Sequence, residues 1–163
     1  MISNDDGVGA KGLRHLIDCI SAMNIGARII AVAPKEHNSG MSSAITVDRP
    51  LHIVRQPDYN GAEIYYVDGT PVDCVKLGMH AVMPHTPDLM LSGINHGSNA
   101  GNSLIYSGTM GAAMEACMIG IPAIGYSLLD HHADADFSYT DKLIRRITAK
   151  VLKDGLPPQT CLN

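Results

Sequence analysis

Aromatic and basic residues are both scarce in this chain of 163 residues, and each shortage excludes a class of binding. Aromatic side chains make up 4% of the sequence and tryptophan is absent, so we expect no aromatic platform on which bases could stack. Lysine and arginine together number 12 against 16 acidic residues, which gives a formal charge of −4. Because a groove for duplex nucleic acid needs the opposite balance, we predict no nucleic-acid duplex as a partner.

Long apolar runs and paired-cysteine motifs are also missing. No run approaches the roughly 20 apolar residues that a membrane helix needs, which predicts no membrane partner. The four cysteines are widely separated and form no CxxC motif, so we expect free thiols in a reducing compartment. No basic and apolar leader opens the chain, and we therefore predict a cytoplasmic location.

The order of predicted helices and strands is typical of a doubly wound α/β sheet. Apolar residues make up 45% of the chain, enough for a packed core. Two helices are predicted from apolar residues at spacings of three and four, a third from the Thr70 cap with Pro71 at the first helical position, and a fourth from a run of small residues. Strands are predicted where short apolar runs end in turn residues. The predicted helices are 11–23, 71–83, 108–118 and 143–152, and the predicted strands are 27–33, 45–47, 51–54, 64–67, 88–92 and 122–128. Strands 51–54 and 64–67 suggest a short β-hairpin inserted in a mostly parallel sheet, and residues 157–163 are predicted to form no packed element.

The amino end is unusual because a turn follows almost at once. Only two or three strand residues precede the Asn-Asp-Asp-Gly turn at residues 4–7, whereas strands usually have five or more. We therefore expect residues 1–163 to form a single α/β domain that is truncated at its amino end.

An acid pair and two polar loops are the candidate metal ligands. Ligands bind beyond the carboxyl ends of parallel strands, and the turn with Asp5 and Asp6 shares that edge with loops 34–43 and 92–99. Two adjacent carboxylates repel each other, and a divalent cation offsets this repulsion. Mg²⁺ prefers carboxylate, amide and hydroxyl oxygens, all of which these loops supply. The alternative interpretation is that the acids belong to an ordinary turn.

A glycine-rich stretch at 93–101 and the helix start at 107–109 predict a phosphate site. Free N–H groups at a helix start, with serine and threonine hydroxyls, suit an anion. The alternative is a capped helix with glycines chosen for close packing. Neither GxxxxGK[ST] nor GxGxxG after a strand is present, which argues against a nucleoside-triphosphate loop and a dinucleotide site. A cation beside a phosphate predicts phosphate-ester hydrolysis by cation-activated water.

Five motifs in order resemble the SurE family, the survival-protein 5′-nucleotidases, over nearly the whole chain. These are SNDDG, APKEHNSGMSSAIT, VDGTPVDCVKLG, PDLMLSGINHGSNAG and YSGTMGAAMEA. The resemblance implies a Rossmann-like three-layer sheet and a divalent cation, Mg²⁺ or Mn²⁺. It implies hydrolysis of nucleoside 5′-monophosphates, with 3′-monophosphates and short polyphosphate as further substrates. It also implies truncation at the carboxyl end, and a homodimer or tetramer at full length.

The resemblance implies roles for individual residues as well. The implied metal ligands are Asp5, Asp6, Ser39 and Asn95. The implied phosphate and substrate contacts are Asn4, Gly97, Asn99, Ser107, Gly108 and Thr109. Asp5 and Asp6 are also the catalytic residues, since one of them would act as base for the attacking water. His37 in the second loop is a candidate substrate contact, whereas His96 is not expected to be catalytic. The alternative function is a non-catalytic nucleotide- or phosphate-binding α/β module, which would not need the acid pair.

Overall fold

Seven strands form one sheet in the computed structural model, which describes residues 1–132 and 134–163. In chain order they are β1 (Ile2–Ser3), β2 (Ile30–Pro34), β3 (Ile53–Tyr59), β4 (Ala62–Val67), β5 (Met90–His96), β6 (Ala123–Leu128) and β7 (Cys161–Leu162). They lie side by side in the order β3-β4-β2-β1-β5-β6-β7. Neighbouring strands are parallel except for the antiparallel pair β3 and β4.

Helices cover both faces of this sheet and complete three layers. They are α1 (Lys11–Ser21), α2 (Pro71–Leu77), α3 (Ser103–Tyr106), α4 (Gly108–Met118) and α5 (Asp141–Asp154). Helix α1 packs with α5 on one face, and α2 packs with α4 on the other. Within the described ranges, no helix combines the length and apolar content needed to cross a membrane. The layers confirm the predicted α/β class with a mostly parallel sheet.

Strand β2 shows how the core divides between the two faces. Ala31 and Ala33 belong to the cluster under α1 and α5, whereas Ile30 and Val32 pack with Cys74 of α2. Both faces are therefore buried, which is why this strand is apolar at consecutive positions rather than at alternate ones.

Local residue chemistry explains where the hairpin turns and where α2 begins. The turn between β3 and β4 is Asn60-Gly61, both at positive φ, as a tight hairpin requires. Helix α2 has a capping box: the Thr70 hydroxyl accepts a hydrogen bond from the Asp73 backbone, and the Asp73 carboxylate accepts one from the Thr70 backbone. The predicted hairpin and helix start are thus confirmed.

Several predicted elements differ from the structure. Helix α2 ends at Leu77 and is followed by a π-helical turn at Gly78–Val82, so the predicted helix 71–83 has two parts. Residues 45–47 form no strand; Thr46 is held instead by two hydrogen bonds to the Asp73 carboxylate. Residues Cys161 and Leu162, predicted to be unpacked, pair with the outer edge of β6 as a two-residue strand. Strand β5 continues four residues past the predicted end at Ser92, because Asn95 and His96 still pair with β6.

We predict that Gly12→Ala destabilises the fold, because a Cβ at this position would overlap the carbonyl oxygen of Ile94 in β5. The overlap is with backbone, so α1 must shift, and we expect the free energy of unfolding to fall by about 1–3 kcal/mol. Urea denaturation measures the change. Gly9→Ala is the matched control, since a Cβ there meets no atom within 4 Å. Equal stability of the two variants would contradict this close contact.

Candidate metal and phosphate site

The turn that follows β1 carries two of the predicted ligands in a buried position. Asn4 and Asp5 are 1% and 3% exposed, and the Asp6 side chain is 11% exposed. The Asn4 amide donates to the Gly7 carbonyl at 2.9 Å and closes the turn. Gly7 has a φ of +100°, which favours glycine, so the sequence Asn-Asp-Asp-Gly forms a defined turn at the carboxyl end of the strand.

The loop after β2 packs directly against this turn. The backbone N–H of Asn38 donates to the Asp5 carbonyl at 2.7 Å, and the His37 Nδ1 lies 3.2 Å from an Asp6 carboxylate oxygen. Ser39 follows Asn38 and is exposed on the same loop. The first two predicted loops therefore meet at one edge of the sheet.

The amino end of α4 reaches the Asp5 carboxylate from the other side. The Thr109 hydroxyl donates to Asp5 Oδ1 at 2.5 Å. A Cβ on Gly108 would lie 2.8 Å from the Asp5 Cβ and 3.0 Å from Oδ2, so the glycine permits this approach. The hydroxyl that was predicted to contact phosphate is thus directed to the acid in this structure.

Burial and hydrogen bonding act on Asp5 in opposite directions. Burial is the largest effect and raises the pKa of Asp5, and the neighbouring Asp6 raises it further. The Thr109 side chain and backbone donate hydrogen bonds that lower this pKa. The positive end of the α4 dipole also favours the ionised acid. Overall the pKa of Asp5 stays above its ordinary value, which means that nearby positive charge would stabilise the carboxylate.

The last residues of β5 and the loop that follows join the same edge through a chain of side-chain hydrogen bonds. The Asn95 amide nitrogen donates to the Gly97 carbonyl and to Asn99 Oδ1, both at 3.0 Å. Ser107 donates to Asn99 Oδ1 at 2.9 Å and caps α4 by accepting from the Met110 backbone at 3.1 Å. This orients Asn95 with its amide nitrogen engaged by protein, so its carbonyl oxygen is the atom available to a cation.

Strand register brings this loop level with the acid pair. Ser3 of β1 pairs with Ser92 of the neighbouring parallel strand β5. Asp6 and Asn95 each follow their paired serine by three residues, so Asp6 in the turn after β1 and Asn95 near the end of β5 lie at the same edge. Together with the hydrogen bonds of Asp5 to Thr109, this places all three predicted loops around one region.

Several buried polar atoms in this region have no partner among the described residues. They are Asp6 Oδ2, Asn4 Oδ1 and Asn99 Nδ2, with the strand hydroxyls Ser3 Oγ and Ser92 Oγ nearby in sequence. Buried polar groups are nearly always paired, so such orphans indicate a missing partner. Oxygens that lack a donor beside two carboxylates fit a hard divalent cation, and an unused amide N–H fits an anion.

The loop after β6 also reaches this region, which was not predicted from the sequence. His131 lies against Gly97, where any Cβ would overlap the imidazole ring, and Gly97 has a φ of +96°. His96 instead packs edge-on against Phe137, with ring centroids 5.1 Å apart. The sequence shows that a loop follows the strand predicted at 122–128. Only the order of strands, in which β6 lies next to β5, shows that this loop contacts the loop after β5.

An open cleft of about 550 Å³ lies beside the acid pair. Its wall includes His37 and Asn38 of the second loop, with Lys35, Arg49 and Thr70 further along. Small-molecule sites commonly have volumes of roughly 300–1,000 Å³, so the cleft has room for a ligand of nucleoside size.

Comparisons by sequence and by structure find the same relatives. The family model described as "Survival protein SurE" matches residues 1–163. The "5′-nucleotidase SurE" of Phocaeicola vulgatus is 49% identical and that of Bacteroides thetaiotaomicron is 45% identical, each over the whole chain. The SurE protein from Aquifex aeolicus has a crystal structure that matches with a TM-score of 0.84 and 38% identity, over 96% of this chain and 61% of that one. The chain spans 62% of the length of the two curated relatives.

We predict that Thr109→Val raises the pKa of Asp5, because the hydroxyl hydrogen bond that stabilises the ionised form is lost. Loss of a hydrogen bond to a charged group should also lower the free energy of unfolding by about 1.5–3 kcal/mol. Carbon-13 NMR titration of the Asp5 carboxyl and urea denaturation measure the two effects. Thr109→Ser keeps the hydroxyl and is the control. An unshifted Asp5 pKa in the valine variant would show that the contact does not form.

Proposed function

Because the chain belongs to the survival protein SurE family, we propose that it acts as a divalent-metal-dependent phosphomonoesterase on nucleoside 5′-monophosphates. The observation that carries the proposal is the pair Asp5 and Asp6, which lie next to each other at the edge where the loops after β1, β2 and β5 meet. One carboxylate is buried beside the other, and an oxygen of Asp6 has no protein partner within the described ranges. The 3′-monophosphates and short polyphosphate are proposed as further substrates.

The proposed cation is Mg²⁺ or Mn²⁺, held by Asp5, Asp6, Ser39 and Asn95. These side chains offer only oxygen atoms, which matches the preference of hard cations. When bound, such a cation polarises a phosphoryl oxygen and lowers the pKa of a bound water.

The two carboxylates differ in how many hydrogen bonds the protein makes to them. Asp5 is fixed by the donors of Thr109, so its orientation is set before any ligand arrives. Asp6 has fewer contacts: its Oδ1 lies near His37, and its Oδ2 has no hydrogen bond to the described part of the chain. We propose that one of the pair accepts the proton of the attacking water, and Asp6 Oδ2 is the atom with the fewest protein contacts.

The proposed phosphate and substrate contacts lie between β5 and α4. The buried Asn99 amide N–H lacks a partner among the described residues and is a donor for an anion. The other proposed contacts in this region are Gly97, Ser107, Gly108 and Thr109, and Asn4 in the turn after β1 is a further one. The adjoining cleft of about 550 Å³ accommodates the nucleoside, and His37 on its wall is a candidate contact.

A homodimer or tetramer at full length and a cytoplasmic location are proposed as well. Large apolar side chains are exposed at Ile105 (65%), Met118 (68%) and Leu129 (80%), which favours an interface over these positions. All four cysteines are free, as expected in a reducing compartment.

We predict that Asp5→Asn and Asp6→Asn each lower phosphate release from AMP by at least about 100-fold, since even indirect contacts to a metal are worth 10–100-fold. Release is assayed with Mg²⁺ or Mn²⁺ and again after chelation, which should abolish it. Asp154→Asn makes the same chemical change at an exposed acid on α5 and should retain full activity. Turnover that persists in chelator would contradict the proposal.

Cation binding gives a second, independent measurement. At a Mn²⁺ concentration of 100 times Kd, the bound ion should stabilise the protein by about 2.7 kcal/mol. This increase in unfolding free energy should be lost in Asp6→Asn and kept in Asp154→Asn. Binding of AMP with no phosphate release under either cation would favour the non-catalytic binding module instead.

A further inference from the structure

A second cluster of potential metal ligands lies between α1 and α5. His15 and Cys19 are one helical turn apart on α1 and therefore lie on the same face. Asp141 is the first residue of α5, and its Oδ1 lies 2.7 Å from His15 Nε2 and 3.4 Å from Cys19 Sγ. The three ligand atoms all lie within 4.8 Å of one another. None of these residues takes part in the acid-pair site.

We propose that His15, Cys19 and Asp141 bind a divalent transition-metal ion of the Zn²⁺ type. An imidazole nitrogen, a sulfur and a carboxylate oxygen form a mixed set that zinc accepts and that Mg²⁺, which prefers oxygen, does not. The chemistry of this cluster therefore selects a different ion from the one proposed at the acid pair.

The distances leave room for such an ion after small side-chain movements. Tetrahedral bonds of about 2.0–2.3 Å place neighbouring ligand atoms roughly 3.3–3.7 Å apart. The Cys19 sulfur and the Asp141 oxygen already have this separation, and the His15 nitrogen must move about half an ångström away from that oxygen. The His15 nitrogen and the Cys19 sulfur, which lie within 4.8 Å of each other, must have the same separation in the metal-bound form.

Burial and charge around the cluster are compatible with an ion that enters from the surface. Cys19 is 2% exposed, whereas the side chains of His15 and Asp141 are 23% and 39% exposed. The ion would be reached from the His15 and Asp141 side, with water as the remaining ligand. A thiolate and a carboxylate balance its charge, and Arg145, which lies 3.6 Å from the second Asp141 oxygen, limits the excess of negative charge before binding.

A bound ion would replace the hydrogen bonds between α1 and α5 by metal–ligand bonds to both helices. Without it, His15 and Cys19 both interact with the same oxygen of Asp141. Burial and Asp141 raise the pKa of Cys19 to about 12, so the metal-free thiol is protonated and a bound ion displaces that proton. The bridge would join residues that are 126 positions apart in the chain.

The test is a titration of the metal-free protein with Co²⁺, whose charge-transfer absorption reports a sulfur ligand. We expect the band to saturate at one ion per chain, to disappear when Zn²⁺ is added, and to be absent in Cys19→Ala. His15→Gln and Asp141→Asn keep the thiol but remove a ligand, and we expect each to weaken Co²⁺ binding at least tenfold. In Asp6→Asn, which removes the stabilisation proposed at the acid pair, Zn²⁺ should still raise the unfolding temperature, and adding Cys19→Ala should abolish that rise.

Two controls separate this cluster from other sites. Asp6→Asn should keep the band, because the acid pair offers only oxygen. Cys161→Ala removes a half-buried cysteine elsewhere and should also keep it. A band that is missing at saturating Co²⁺, or lost in Cys161→Ala and kept in Cys19→Ala, would overturn the proposal and leave a hydrogen-bonded helix contact. If metal-free Cys19→Ala is unfolded by circular dichroism, His15→Gln decides: unchanged Co²⁺ affinity in that variant overturns the proposal equally.

Discussion

The hydrogen bond from Thr109 to Asp5 is the contact on which the arrangement of the candidate site depends. It joins residues 104 positions apart and brings the start of α4 to the carboxyl edge of β1. Burying a carboxylate is costly, and the donors and dipole at the helix start offset part of that cost. Gly108 permits the approach because it has no Cβ to meet the acid. The acid is therefore held in one orientation before a cation or substrate binds.

The surplus of oxygen atoms around this contact explains why a cation suits the site. Asp6 Oδ2 and Asn4 Oδ1 lack partners among residues 1–132 and 134–163. The amide nitrogen of Asn95 donates to other protein groups, which leaves its carbonyl oxygen for a cation. The cluster of His15, Cys19 and Asp141 has the opposite character, with a sulfur and a nitrogen around one carboxylate oxygen. Two regions of one fold thus differ in the softness of their ligands, and softness is what separates Mg²⁺ from Zn²⁺ in proteins.

Prediction from sequence succeeded where local chemistry decides structure. The helix predicted at 108–118 has the bounds of α4, whose start is marked by the Ser107 cap and a run of small residues. The strand predicted at 45–47 was wrong: these residues form no strand, and Thr46 bonds to the Asp73 carboxylate instead. Strand β7 was missed because two residues show no periodicity, and only the open edge of β6 makes them a strand. The family resemblance of the five motifs is confirmed.

By itself, the sequence determined the family, the α/β class, and the separate motifs of the candidate site, because each motif consists of residues that are close together along the chain. The tertiary structure alone decided that Thr109 donates to Asp5, that His131 covers Gly97 and that His15 and Cys19 meet Asp141. These pairs are distant in sequence, and which of them meet depends on strand order and helix packing. No local pattern encodes that order, since the same helices and strands can be arranged in more than one way around a parallel sheet.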